Sequence, residues 1–252
     1  MENCGIGYQN LILSAALTAD SSVAALPVSN LTSPQGSSAY AWRALGTQAT
    51  LTIQFAQASP VRAVSLHRTN LTAEASWRLV LRLHDTVVQD VAPAMATTGG
   101  QATFVFPPDL VADAVQITIS DATNPDGYLS VPLAYVGPLW QPIRNFSTDS
   151  TSGFNLGVDE VTALSGAEFP QMRWIQKKAS IAHQSYGSAE ADILSDIQAV
   201  AARGENILFI PDPSAPALQK QAIYGRLSGG DLGNPFGAAD RRSWTFNMTE
   251  RL

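Results

Sequence analysis

From Ala49 to Asp85 apolar residues recur at every second position, in three bursts. Leu51, Ile53 and Phe55 share one parity. After Ser59-Pro60, Val64 and Leu66 do the same. After Asn70-Leu71-Thr72, Trp77, Leu79, Leu81 and Leu83 line up, with Arg78, Arg82 and His84 opposite. Side chains alternate across a strand, so the pattern predicts three strands with one dry face and one wet face. That is half of a β-sandwich. The parity puts Trp77 in the core and His84 in solvent, and it puts His67 opposite Val64 and Leu66, on the surface.

The pattern continues on both sides. Residues 10–48 are rich in Ser, Ala, Thr and Leu, broken by Pro27 and Pro34, and read as short strands and loops ending at Ala41-Trp42-Arg43. Phe104 and Phe106 mark a strand after the turn Thr97-Thr98-Gly99-Gly100. Val115, Ile117 and Ile119 alternate with Gln116, Thr118 and Ser120. The turn Asn124-Pro125-Asp126-Gly127 follows, then Leu129, Val131, Leu133 and Tyr135. Strands at roughly ten-residue spacing predict a jelly roll or sandwich over residues 1–138.

Gly137-Pro138-Leu139-Trp140-Gln141-Pro142 reads as a boundary. Residues 143–185 read as further β-structure broken by Gly153, Gly157 and Gly166. One helix is predicted: Ile193, Leu194, Ile197, Val200 and Ala201 form a single apolar stripe. Ser188 is the expected N-cap, Glu190 and Asp192 lie in the first turn, and Gly204 stops the helix. A buried strand, Ile207–Ile210, runs into Pro211-Asp212-Pro213. Residues 228–240 read as a Gly-rich loop, and Trp244, Phe246 and Met248 as a last strand. The expected fold is therefore mainly β: a jelly-roll sandwich, then a smaller α+β domain over residues 139–252 with one helix packed on a sheet.

Composition changes this picture in one respect. Only 14% of the 252 residues are charged, against about 25% in a typical domain. Either the surface packs on partners, or Ser, Thr and Gln cover the wet faces. The net charge of −6 argues against nucleic-acid and anionic-membrane partners. The opening MENCGIGYQN carries no basic region leading into an apolar run, and no stretch reaches the length of a membrane span, so no secretion and no membrane insertion are expected. The sequons at Asn30, Asn70, Asn145 and Asn247 then carry no meaning. The single Cys4 excludes an internal disulfide and a cysteine zinc site.

Chemistry is sparse. His67, His84 and His183 sit in no metal-ligand spacing, and no nucleophilic triad, phosphate loop or carboxylate pair is legible. No catalytic residue, metal or cofactor is predicted, and the chain is not expected to be an enzyme. Asp121, Asn124 and Asp126 offer oxygens to an ion, but their spacing is that of a Pro-Asp-Gly turn. Trp42, Arg43 and Arg68 form the candidate ligand site: an indole to stack on a sugar face and guanidinium groups to bind hydroxyls. Trp42 fits the core equally well.

Trp42-Arg43, the strand LTIQF, the run Val61–Asn70, Ile117–Asp121 and Leu133–Gly137 resemble the discoidin-type, galactose-binding-like jelly rolls over residues 8–138. Arg173-Trp174, the helix over 189–203, Ile207–Ile210 with its Pro-Asp-Pro, and Ser243–Glu250 resemble the α+β domain of distal tail proteins. The layout as a whole resembles a tail-tip or baseplate protein of a tailed bacteriophage. That resemblance implies a non-enzymatic virion protein assembled in the host cytoplasm. Its partners would be other tail proteins and copies of itself in a homo-oligomeric ring. The alternative is a carbohydrate-binding module recognising a host-surface glycan through Trp42, Arg43 and Arg68.

Overall fold

The computed structural model describes residues 2–93, 100–108, 110–230, 232–233 and 241–252. Among these residues sixteen strands are formed: β1 Gly5–Gly7, β2 Ala16–Ala19, β3 Trp42–Leu45, β4 Gln48–Pro60, β5 Ala63–His67, β6 Ser76–Leu83, β7 Thr86–Val91, β8 Ala102–Val105, β9 Val111–Ser120, β10 Tyr128–Val131, β11 Leu133–Gly137, β12 Thr151–Thr162, β13 Glu168–Tyr186, β14 Ile207–Ile210, β15 Ile223–Gly229 and β16 Arg242–Glu250. Among the described residues there are also two α-helices, α1 Ser188–Ala202 and the single turn α2 Leu218–Gln221, and three short 3-10 helices before β3. Among the described residues the strands of every sheet pair antiparallel, and the architecture is mainly β, as expected.

The jelly-roll sandwich has a five-stranded sheet, β2-β4-β9-β6-β7, facing a three-stranded sheet, β11-β5-β8. A two-stranded ribbon, β10-β3, lies beside them. Leu51, Ile53, Leu79, Leu81, Val115, Ile117 and Ile119 fill the core from the first sheet, and Val64, Leu66 and Val136 meet them from the second. Trp77 is buried there, as its parity predicts, and His84 is exposed.

The three bursts do not stay in one sheet. β4 and β6 flank β9, while β5 crosses to the other layer between β11 and β8. Its second face is also covered. Ala63, Ser65 and His67 are all buried, so His67 is a seam residue and not a surface one. The expected turn at Thr97–Gly99 lies outside the described residues. Gly100 lies within them, at φ 73°, where an added Cβ would sit 2.2 Å from the Thr69 carbonyl oxygen.

What covers β5 is a second, six-stranded sheet of order β1-β14-β15-β16-β13-β12. Gly5, Ile6 and Gly7 pair with Ile210, Phe209 and Leu208. This corrects the expected boundary: the first strand belongs to the second sheet, so the sandwich is inserted between β1 and the rest of that sheet. The sequence hides the pairing because the partners lie some 200 positions apart, and because Gly5 and Gly7 give no period-two signal. Their lack of side chains has a reason. A Cβ on Gly7 would fall 2.6 Å from the Tyr135 ring, and one on Gly5 2.3 Å from the Leu139 side chain.

The result is four layers. Ala63, Leu133 and Tyr135 of the three-stranded sheet pack on Leu208, Ile210 and Tyr224 of the six-stranded one and on Ala222, which caps α2 just before β15. On the opposite face of that sheet, α1 buries Leu194, Ile197 and Val200 against Phe209, Trp244, Phe246 and Met248. The helix begins one residue earlier than expected, at Ser188 itself. Gly187 is the N-cap, and its amide donates to the Glu190 carboxylate at 2.7 Å. Glu190 is itself buried and also accepts from the Ile143 amide, at 2.9 Å. A carboxylate held at a helix N-terminus is favoured by the macrodipole. Most of the expected Gly-rich loop, Asp231 and residues 234–240, lies outside the described residues. Ser228 and Gly229 end β15.

Candidate functional site

β12 and β13 form one long hairpin whose outer half stands clear of the sheet. β16 pairs with β13 only from Lys178 onward, so residues 154–162 and 168–177 project as a two-stranded arm. At about 3.4 Å per residue its length is roughly 30 Å. The tip closes through Ala163 and Ala167, with Gly166 at φ 82°, a left-handed conformation that suits glycine.

Register sorts the arm's side chains. Phe154, Leu156 and Val158 alternate along β12. Leu156 pairs with Ile175, and after a bulge Val158 pairs with Met172. Paired residues share a face. Phe154, Leu156, Val158, Met172 and Ile175 therefore form one apolar stripe, and each is 40–64% exposed. The opposite face carries Asn155, Asp159, Gln171 and Gln176, the exposed apolar pair Val161 and Phe169, and Trp174 laid over Gly157. A Cβ at Gly157 would lie 2.3 Å from the indole, which explains the glycine there. Arg173, at the bulge, pairs with Asp159. The stripe amounts to roughly 500 Å² of exposed apolar surface, the scale at which patches mark interaction sites. Among the described residues no strand pairs with the outer edge of β12 or with β13 at 168–176, where the root end is met instead by side chains: Arg68 takes the Ile175 carbonyl and Glu250 the Lys177 amide.

The arm is fixed at its root by the sandwich. Arg68, a sugar-binding candidate from the sequence, lies in this seam. Its guanidinium donates to the Ile175 carbonyl at 3.1 Å and the Arg251 carbonyl at 3.2 Å, and it faces Glu250 at 3.5 Å. Lys177 donates to Gln101 Oε1 at 2.8 Å, and Gln101 donates to the Ala222 carbonyl at 2.9 Å. Burial lowers the Lys177 pKa; Glu250 counters that shift and Arg68 adds to it. His67 stacks on Tyr224, with ring centroids 4.9 Å apart, and its Nε2 shares a 2.7 Å hydrogen bond with the Ser65 hydroxyl. Burial holds the His67 pKa well below the usual imidazole value, and the charges of Lys177 and Arg68 push it the same way.

The other two candidates lie apart from this seam. Trp42 is 1% exposed, and its indole N–H donates to the Ser21 carbonyl at 3.1 Å, so neither ring face is open to a sugar. Arg43 stacks its guanidinium on the Tyr128 ring, 4.3 Å from the centroid. The three candidate residues do not converge on one cavity. At the same rim Asp121 is fully buried. It accepts from the Thr72 amide (2.8 Å), the Thr72 hydroxyl (2.7 Å) and Asn124 Nδ2 (3.1 Å), while Asp126 accepts from Asn70 (2.8 Å). These donors occupy the oxygens that an ion would need. Among the described residues no three His, Cys, Asp or Glu side chains gather as a metal site, and no helix is long and apolar enough to cross a membrane.

No protein-family model matches the chain, and no curated relative matches it. Solved structures do match in part. A fucose-binding module from Streptococcus pneumoniae aligns at 12% identity and TM-score 0.41, over 52% of this chain and 98% of its own. The galactose-bound family 32 carbohydrate-binding module of C. perfringens NanJ aligns at 13% identity and TM-score 0.40, over 52% and 98%. A chitosan-binding module from a Paenibacillus chitosanase/glucanase aligns at 20% identity and TM-score 0.41, over 52% and 99%.

Two grooves remain. An open cleft of about 550 Å³ on the five-stranded sheet is lined by Glu74, Ser76, Trp77, Arg78, Thr118 and Ser120. Arg78 there pairs with Asp90. A second groove, of about 590 Å³, runs between α1 and the loop after β1, and Asp196 and Glu205 both line it. Glu205 is engaged by Arg203 at 2.6 Å. The arm itself is what sequence reasoning missed. The alternation Phe154, Leu156, Val158 was available to find it, but alternation marks two faces without saying which one a neighbour covers.

Proposed function

We propose that the chain is a non-enzymatic structural subunit of a tailed-bacteriophage tail tip or baseplate. It would be assembled in the host cytoplasm and connect copies of itself and other tail proteins. The observation that carries this reading is the arm. An isolated two-stranded ribbon is marginal in water, and this one presents an apolar stripe and, among the described residues, edges that no further strand pairs. Unpaired edges and exposed apolar faces are liabilities unless a partner takes them. The low charge content supports the same reading. In this arrangement the arm-bearing domain makes the subunit contacts and the sandwich faces outward. Native mass spectrometry of the purified chain, together with proteomics of purified particles, tests it. A multimer and presence in particles are expected. A strictly monomeric chain that is missing from particles sinks the proposal.

A second reading makes the sandwich a glycan-binding module. What favours it is the cleft beside Trp77 and Arg78, where Glu74, Ser76, Thr118 and Ser120 offer polar groups around an aromatic edge. Under this reading Trp42 and Arg68 take no direct part, since one is buried and the other is held in the seam. Calorimetric titration with galactose and fucose tests it: heat of binding that is lost on Arg78→Ala supports it, and no heat with either sugar counts against it.

A further inference from the structure

The six-stranded sheet runs on past the sandwich, and there its face opposite α1 carries two polar rows. Arg226 pairs with Thr249, Thr249 with Lys178 and Lys178 with Gly153. In the next row Ser228 pairs with Asn247, Asn247 with Ser180 and Ser180 with Thr151. Paired residues share a face. The alternate residues Leu227, Met248 and Ala179 are buried in the core under α1, which puts both rows on the other side. Strands about 4.8 Å apart set Arg226 and Lys178 roughly 10 Å apart along the row. A third groove, of about 350 Å³, lies here, lined by Thr151, Gly153, Lys178, Ser180, Asn247 and Thr249. Gly153 keeps it open: a Cβ there would meet only the Lys178 side chain, at 3.9 Å.

The charge of this face is uncompensated. Among the described residues Lys178, Lys220 and Arg226 are the cations that make no ion pair, side-chain hydrogen bond or ring contact, and two of the three stand in one row. Glu250, the carboxylate beside them, is turned to Arg68 at 3.5 Å and to the Lys177 amide at 2.9 Å. The Arg226 charge is felt by its neighbour Arg251, whose pKa is lowered by burial first and by Arg226 second. We propose that this face binds an anionic, hydroxyl-bearing chain, an acidic polysaccharide or a polyol phosphate. Its acid groups lie on Lys178 and Arg226, and its hydroxyls meet Thr151, Ser180, Asn247 and Thr249. A protein partner would bring an interface with an apolar core, and single-stranded nucleic acid would ask for an aromatic platform. The two rows hold neither kind of side chain. The site is distinct from the arm and from the cleft beside Trp77, and it stands independently of both readings above.

The test is calorimetric titration of the full chain at low salt with an oligogalacturonate, a glycerol phosphate oligomer and neutral dextran. Heat is expected with an acidic chain and not with dextran, and the acid that binds tells carboxylate from phosphate. Replacing both row cations, Lys178→Gln with Arg226→Gln, is expected to weaken binding at least about tenfold. Lys220→Gln removes a free cation on α2, outside the row, and is expected to leave binding unchanged. Gly153→Leu fills the groove, keeps every charge and is expected to weaken binding as well. The double variant should melt as wild type does by circular dichroism, because neither side chain has a partner to lose, so it decides the matter even where Gly153→Leu folds poorly. Equal losses in Lys220→Gln and in the double variant overturn the site in favour of diffuse surface charge. Absence of heat with both acidic chains overturns it outright. Tighter binding of polyglutamate or of a thymidine oligonucleotide, lost in the double variant, overturns the ligand class in favour of an acidic protein or a nucleic acid.

Discussion

His67 makes acid stability a sharp test of the seam. It is 1% exposed, with Tyr224 stacked on its ring, Ser65 and Thr103 on its polar side, and the cations Lys177 and Arg68 nearby. The folded chain therefore keeps it neutral, whereas the unfolded chain protonates it near the ordinary value of 6.5. Below that value the unfolded state binds more protons, so stability falls with pH until the folded-state pKa is reached. With the folded imidazole still neutral, going from pH 7 to pH 5 removes at most about 2 kcal/mol through this one residue. The perturbation is His67→Gln, which keeps a polar side chain but cannot titrate. At pH 7 the variant is expected to be less stable by about 1–2 kcal/mol, because it loses the aromatic stack. At pH 5 the two proteins should nearly converge. Urea unfolding followed by tryptophan fluorescence at both pH values measures the difference. His183 is also buried with a lowered pKa, but it is common to both proteins and cancels. If wild type and variant lose stability in parallel on acidification, His67 is not a buried neutral imidazole and the description of the seam is wrong.

Three further outcomes follow from the same geometry. Arg68→Met leaves the Ile175 and Arg251 carbonyls without their guanidinium donor and should cost about 1–3 kcal/mol, read as a lowered thermal midpoint. Asp121→Ala strips the Thr72 amide, Thr72 hydroxyl and Asn124 amide of their shared acceptor and should cost about 2–4 kcal/mol, while calcium or a chelator leaves the wild-type midpoint unmoved. Gly157→Ala should displace the Trp174 indole, seen as a shift in tryptophan emission, with a stability change under about 1 kcal/mol because the arm is exposed.

The dry faces were legible because alternation reports directly on which parity is buried. Leu51, Ile53, Leu79, Leu81, Ile117 and Ile119 all lie where their parity puts them. The stripe on α1 was legible for the same reason at helical period. What alternation does not report is the number of layers. Ser65 and His67 look like a wet face, yet the six-stranded sheet covers them, and the Ser65 hydroxyl meets the imidazole Nε2 there. The reverse holds for Leu156 and Val158, which alternate as a buried strand would and are exposed. Trp42, Arg43 and Arg68 were grouped by chemistry, and no local pattern could reveal that Arg68 reaches Arg251, 183 positions away.

The arm and the sandwich are mechanically one unit. Arg68 leaves β5 at φ 59°, a left-handed conformation rare for a non-glycine residue, and this departure sits where its guanidinium meets the Ile175 carbonyl at the arm's root. Lys177, two residues on, is tied through Gln101 to Ala222, between β8 and β15. Backbone strain of this kind persists only where the surroundings over-determine it, and here those surroundings are the stacked sheets. A two-stranded ribbon has little stability of its own, so its direction is set by these contacts and not by its own pairing.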